Sequence, residues 1–134
     1  MADHDLSGVL DTSTYIDLEL LDPAVLPAVR ELTTITLAEL HRGVVVAKDA
    51  ASRDVRTARL GVAIAGYDAL PFDQRASARF GSLVGLMAAA NRDPRTRTLD
   101  LMIAATASCH ELPLYTRNAK DFVGLESLVK IIEV

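Results

Sequence analysis

The sequence lacks three things that would each define a class of protein. It has one cysteine, Cys109, so no internal disulfide can form and no cysteine pair offers itself to zinc. That usage suits a reducing, cytoplasmic setting. Its longest strongly apolar run, residues 83–90, is far too short to cross a bilayer, and no membrane association is expected. The first residues, Met1-Ala2-Asp3-His4-Asp5, carry acids where an export signal carries bases. The basic excess common in nucleic-acid-binding domains is also missing: 18 Asp and Glu face 14 Lys and Arg, for a net charge of −4. This deficit excludes little. With four carboxylates set aside around bound cations, the other 14 acids balance the 14 bases. Repeats and low-complexity tracts are absent too, so residues 1–134 are expected to form one domain. A hydrophobic content of 50% supplies its core.

What is present is an alternation of short apolar runs with longer helical periods. It predicts strands over 7–10, 33–36, 70–72, 113–116 and 129–134. Helices are predicted over 14–21, 24–31, 37–48, 51–64, 74–92 (capped by Asp73) and 99–111, with a helical turn over 119–122. Short apolar strands separated by helices imply an α/β sandwich whose five-stranded, mainly parallel sheet is covered on both faces. Such sheets bind ligands beyond the carboxyl ends of their strands. In this reading Asp11 ends the first strand, Glu39 follows the second and Thr116 ends the fourth, so distant residues meet at one edge.

Each acid at that edge also has an ordinary structural explanation. Asp11, in Val9-Leu10-Asp11-Thr12-Ser13, has the character of a helix cap. Thr36-Leu37-Ala38-Glu39 has the form of a capping box, with Glu39 reaching back to the cap amide. Gly43 lies one turn beyond Glu39, and its helix-interior cost of about 1 kcal/mol implies a close backbone approach by a neighbouring element. Asp100 opens a helix whose dipole favours an acid there, with small Ala104 and Ala107 on its face. In Thr116-Arg117-Asn118-Ala119-Lys120-Asp121-Phe122, Thr116 and Asn118 are turn or cap residues, and Asp121 is solvated or paired with a neighbouring base. Their joint placement argues for more. Carboxylates held together repel unless a cation compensates, and an oxygen-only set selects a hard ion, Mg²⁺ or Mn²⁺.

At these motifs the sequence resembles the PIN domains, and specifically the VapC-type toxins of type II toxin–antitoxin operons. The matching pieces are Leu10-Asp11-Thr12-Ser13, Thr36-x-Ala38-Glu39-Leu40-x-x-Gly43, Asp100-x-x-Ile103-Ala104-Ala105-Thr106-Ala107 and Thr116-Arg117-Asn118-x-x-Asp121-Phe122. They occur in the family's order and cover essentially the whole chain. The resemblance implies a Mg²⁺- or Mn²⁺-dependent endoribonuclease, homodimeric, inhibited by a cognate antitoxin protein that covers the site. It implies that Asp11, Glu39 and Asp100 are the core metal-binding and catalytic carboxylates. Asn118 stands where many relatives have a fourth acid, and Asp121 is the nearby acid retained here. Thr12, Ser13 and Thr116 are expected to support them by hydrogen bonding. In the chemistry this implies, a metal-activated water attacks the phosphate in line, leaving 5′-phosphate and 3′-hydroxyl ends. Arg92, Arg95, Arg97, Arg117 and Lys120 lie near the motifs and either hold flanking phosphates or form an ordinary solvated face.

Other residues point nowhere in particular. His4, His41 and His110 share no metal-site spacing, and Cys109 reads as packing. Leu83, Leu86, Met87 and Ala90 form a core or dimer face. Two other functions fit an acidic α/β domain. A phosphoacceptor receiver would need paired acids after its first strand, an acceptor Asp on its third and a Lys late in the chain, whereas here Asp73 after the third strand reads as a helix cap and Glu39 and Asp100 sit at helix starts. A PIN-like module that binds RNA or protein without cutting it is the closer alternative.

Overall fold

In a computed structural model that describes residues 6–134, the hydrophobic alternation becomes a three-layer arrangement. His4 and the acidic N-terminal stretch lie outside the described residues. Strands β1 (Ser7–Leu10), β2 (Val29–Glu31), β3 (Leu114–Thr116) and β4 (Ile131–Glu133) form one sheet in the order β2-β1-β3-β4. All three pairings are parallel, with Val9 opposite both Glu31 and Leu114. Helices α1 (Thr12–Ile16), α2 (Thr34–Val45) and α3 (Ala50–Gly66) cover one face. Helices α4 (Gln74–Ala89) and α5 (Thr98–Cys109) cover the other.

Strand alternation explains why both faces are covered. Successive side chains point to opposite sides. Val9 and Leu114 pack with Leu83, Met87, Leu101 and Ile103, while Leu10 and Tyr115 pack with Tyr15, Leu40 and Leu60. Leu83 and Met87 are therefore core residues. No helix among the described residues is long and apolar enough to cross a membrane.

Gly8 sets the closest approach within the sheet. A Cβ there would overlap the buried Tyr115 ring and stand 3.2 Å from Pro27 Cγ. Gly8→Ala is therefore expected to destabilise the protein by about 1–3 kcal/mol, the usual cost of overpacking. Urea unfolding measures it, and an unchanged midpoint would refute the close packing of Gly8 on Tyr115.

The expected order of elements differs from the structure in four places. Residues 24–31 are not a helix. Pro27 has no N–H and pushes the preceding Leu26 out of the helical region, to φ −102°, ψ 157°, so a short 3-10 turn (Pro23–Val25) leads into β2. Residues 33–36, although β-branched, are not a strand. Thr33 caps α2 by accepting from the Thr36 N–H at 3.2 Å, and capping outweighs β-branching. The expected strand over 70–72 shrinks to one parallel bridge, Thr33 with Leu70, because Pro71 cannot donate to a ladder. Four strands, not five, are present among the described residues. The first helix is also shorter than expected, ending at Ile16 before a separate 3-10 turn (Leu18–Leu20).

The chain leaves central β1 for β2 on one side and later returns to β3 on the other. The carboxyl ends of β1 and β3 therefore flank a topological switch point, where a parallel sheet opens a crevice. Asp11 follows the first of these ends and Asn118 the second.

Candidate active site

A cleft of about 270 Å³ occupies that crevice, and Asp11, Glu39, Asp100 and Asp121 all line it. Asp11, only 4% exposed, is the N-cap of α1; its Oδ1 accepts from the Thr14 N–H at 3.0 Å and the Ser13 hydroxyl at 3.3 Å. Its structural role is thus real, and the same carboxylate faces the cleft. Glu39 belongs to no capping box. Its helix is capped three residues earlier than expected, at Thr33, which leaves Glu39 free of the cap. The Thr12 hydroxyl donates to Glu39 Oε1 at 2.6 Å and lies 2.9 Å from the Thr36 hydroxyl. Thr36 went unnoticed as a supporting residue, although its place one helical turn before Glu39 on the same face was legible.

Asp100 is in the first turn of α5, above the fully buried Ala104 and Ala107. Its pKa is pushed up to about 6, first by burial, then by Asp11 and Glu39, with Arg97 opposing and Asp121 adding to the rise. That is the behaviour of a carboxyl held near other carboxylates. Asp121 sits on the 3-10 turn after β3 (Ala119–Phe122) and pairs with Arg97 at 3.0 Å; Arg97 also approaches Asp100 at 4.0 Å. Asn118 lines the cleft, and its backbone N–H donates to the buried Thr116 hydroxyl at 2.9 Å. Thr12 and Ser13 line the cleft as well. Thr116 supports it from beneath.

The donor chemistry is that of a hard-cation site: carboxylate and amide oxygens, with no His or Cys lining the cleft. Among the described residues, however, no three His, Cys, Asp or Glu side chains converge closely enough to enclose a metal ion. Arg97 instead supplies positive charge to two of the four acids.

The other arginine candidates are engaged elsewhere. Arg117 pairs with Asp17 at 2.8 Å, Arg95 with Asp93 at 3.0 Å, and Arg92 donates to the Val123 carbonyl at 3.5 Å. Lys120 is exposed and does not line the cleft. The expectation for Gly43 fails too. A Cβ there would meet only Arg56 Cδ, at 3.9 Å, so no backbone approaches closely. His41 and His110 are exposed and do not line the cleft.

The described residues thus form a parallel α/β domain with four carboxylates lining the crevice at its switch point. Comparison with known proteins makes this specific. Ribonuclease VapC5 of Mycobacterium tuberculosis is 38% identical over 135 residues, covering 96% of each chain. The crystal structure of VapBC-5, a member of the VapBC family of toxin–antitoxin systems from the same organism, superposes with a TM-score of 0.81. There the identity is 36%, over 97% of this chain and 100% of that one. FitAcB from Neisseria gonorrhoeae follows with a TM-score of 0.70 and 26% identity, over 93% of this chain and 96% of that one. No family model matches the chain. The chain belongs to the VapC family of PIN-domain toxin–antitoxin ribonucleases.

Proposed function

We propose that this protein is the toxin of a type II toxin–antitoxin pair, a Mg²⁺- or Mn²⁺-dependent endoribonuclease whose chemistry takes place in the acidic cleft. The observation that carries the reading is the lining of one switch-point cleft by Asp11, Glu39, Asp100 and Asp121, with the Asp100 carboxyl pushed up to about 6. Asp11, Glu39 and Asp100 are the proposed cation ligands, and Asp121 joins them directly or through water. A bound divalent cation would supply a water of lowered pKa and neutralise charge on the phosphate.

The residues of the chain do the positioning. The Thr14 N–H and Ser13 hydroxyl hold the Asp11 carboxylate at the end of β1. Thr12 orients Glu39 through its hydroxyl. Thr116 fixes the backbone of Asn118, whose side-chain amide offers a donor to a phosphate oxygen. Arg97 neutralises Asp121 until a cation competes for that carboxylate.

Incubation with single-stranded RNA tests the reading. Cleavage is expected with Mg²⁺ or Mn²⁺, is lost in EDTA, and leaves 5′-phosphate and 3′-hydroxyl ends. Cation-independent cleavage to 2′,3′-cyclic phosphates would overturn the mechanism. RNA that is retained but uncut with either cation would favour the binding-module alternative.

The toxin–antitoxin pairing of VapBC-5 extends the proposal to a cognate antitoxin in the cytoplasm. Its expected contact is an Arg or Lys placed among Asp11 and Asp100, where a guanidinium can pair bidentately with a carboxylate. Helix α3 also leaves Val55 and Val62, two turns apart on one face, 58% and 63% exposed, apolar surface suited to a symmetric homodimer. A monomer in sedimentation at micromolar concentration would remove the dimer.

A further inference from the structure

We propose that Arg59, with Arg56, seats an RNA phosphate that flanks the scissile one, in a cavity on the α3 side of the acidic cleft. The inference rests on the nuclease reading and adds a substrate subsite to it. The cavity, of about 220 Å³, is lined by Ile16, Glu39, Leu40, Gly43, Arg56 and Arg59. Ile16 and Glu39 also line the acidic cleft, so the two spaces adjoin across the Glu39 side chain. A strand of RNA lying in the cleft thus has a way out past Glu39.

Three observations make this cavity an anion seat. Arg59 is half-buried, and its guanidinium has no hydrogen-bond or ion-pair partner among the described residues. Outside the helix ladder, this residue is engaged through its carbonyl, which accepts from the Tyr15 hydroxyl at 3.1 Å. A guanidinium without a protein partner keeps its fork of donors free for an anion. Arg56 is fixed beside it, donating to the Gly43 carbonyl at 2.7 Å and leaving its other guanidinium N–H groups available. Gly43, in turn, keeps the space open. A side chain there would meet no backbone and would extend into the cavity.

The electrostatics require such a seat. A polyanion entering a cleft of four carboxylates, on a chain of net charge −4, needs local cations beside the cleft. Arg97, which lines the cleft, is paired with Asp121, while Arg117 and Arg95 do not line it and pair with Asp17 and Asp93. Arginine is suited to phosphate because its fork of donors matches two oxygens.

The test is the binding of a labelled, mixed-sequence single-stranded RNA oligonucleotide in EDTA, where cation-dependent cleavage cannot occur, read by fluorescence anisotropy over a range of salt. Arg59→Gln is expected to weaken binding several-fold. It should also flatten the plot of log affinity against log salt by about 0.7, the share of one phosphate contact on a single strand. Its melting temperature should stay at the wild-type value, since the guanidinium holds nothing in the fold. Arg59→Lys should fall between the two. Gly43→Leu keeps every charge but fills the seat, so it should weaken binding as well. Arg75→Gln, at the far end of the sheet, should behave as wild type. If Arg59→Gln binds RNA with wild-type affinity and salt slope, the seat is refuted even where wild type cleaves RNA normally. The same holds if that variant loses only binding to an acidic peptide. A wild type that never cleaves RNA refutes the nuclease reading instead, and the anisotropy result still decides whether the seat exists.

Discussion

Asp100→Asn is expected to lose cation-dependent RNA cleavage by orders of magnitude, while the metal-free protein becomes no less stable and gains on wild type as pH rises. The carboxyl of Asp100 is pushed from its ordinary value of 3.8 to about 6, by burial first and then by Asp11 and Glu39, against the opposing charge of Arg97. A raised pKa in the folded state means that folding favours the protonated form. This contribution is fully present below about pH 4 and is lost as pH rises through about 6. Asparagine does not titrate, so wild type should lose stability relative to the variant across that window. Because the side chain is 36% exposed, solvent screens the effect, and a difference on the order of 1 kcal/mol is the scale to look for. Were Asp100 only a favourable charge on the α5 dipole, the variant would instead lose about 0.3–1 kcal/mol. The sign of the change therefore separates a helix-terminal acid from a member of a crowded site. Added Mg²⁺ or Mn²⁺ should raise the wild-type melting temperature by mass action and the variant's much less. Equal cleavage and equal metal stabilisation in the two proteins would remove Asp100 from the site.

The meeting of the four acids was more legible in the sequence than the fold around them. Four motifs named the acids, and all four acids line the switch-point cleft. Two of the errors fell between residues 24 and 36, where local signals compete. Pro27 ended a helix that the apolar pattern continued, and Thr33 capped a helix where β-branching had favoured a strand. The two errors displaced the second strand by a few residues yet left Glu39 at the same edge, because a helix still begins there. The misplaced cap also changed the meaning of Glu39. With the cap at Thr33 rather than Thr36, the ordinary explanation for that acid disappears.

What the sequence hid was partnership. Five basic residues near the motifs looked equivalent, but Arg117 pairs with Asp17 and Arg97 with Asp121 only because the tertiary fold brings them together, while Arg95 pairs locally with Asp93. Arg59 lies in a helix with no motif, and only the packing of α3 on α2 places it beside Glu39. Gly43 was noticed for a real reason, its helix-interior cost, and assigned the wrong cause. The position borders open space rather than a neighbouring backbone.

Asp11 should divide into two separable roles under substitution. Its Oδ1 caps α1 by accepting from the Thr14 N–H, a task that asparagine performs about as well and alanine does not. Asp11→Ala is therefore expected to lose about 0.5–2 kcal/mol of stability, the usual cost of removing a cap. Asp11→Asn should keep that stability. Both variants should lose cation-dependent cleavage by orders of magnitude, because neither carries the anionic oxygen that a hard cation selects. A further readout does not depend on activity. Asp11 is the foremost charged group raising the Asp100 pKa, so in Asp11→Asn the Asp100 carboxyl should titrate below about 6, which carboxyl NMR can follow. Thermal unfolding of the three proteins, with cleavage assays alongside, resolves the alternatives. If Asp11→Asn cleaves as wild type does while Asp11→Ala is unstable and inactive, Asp11 is a cap alone. The metal ligands must then be sought among Glu39, Asp100 and Asp121. If the two variants are equally inactive and only the alanine protein is destabilised, the residue that starts α1 also carries the chemistry. The β1–β3 crevice is then the catalytic centre.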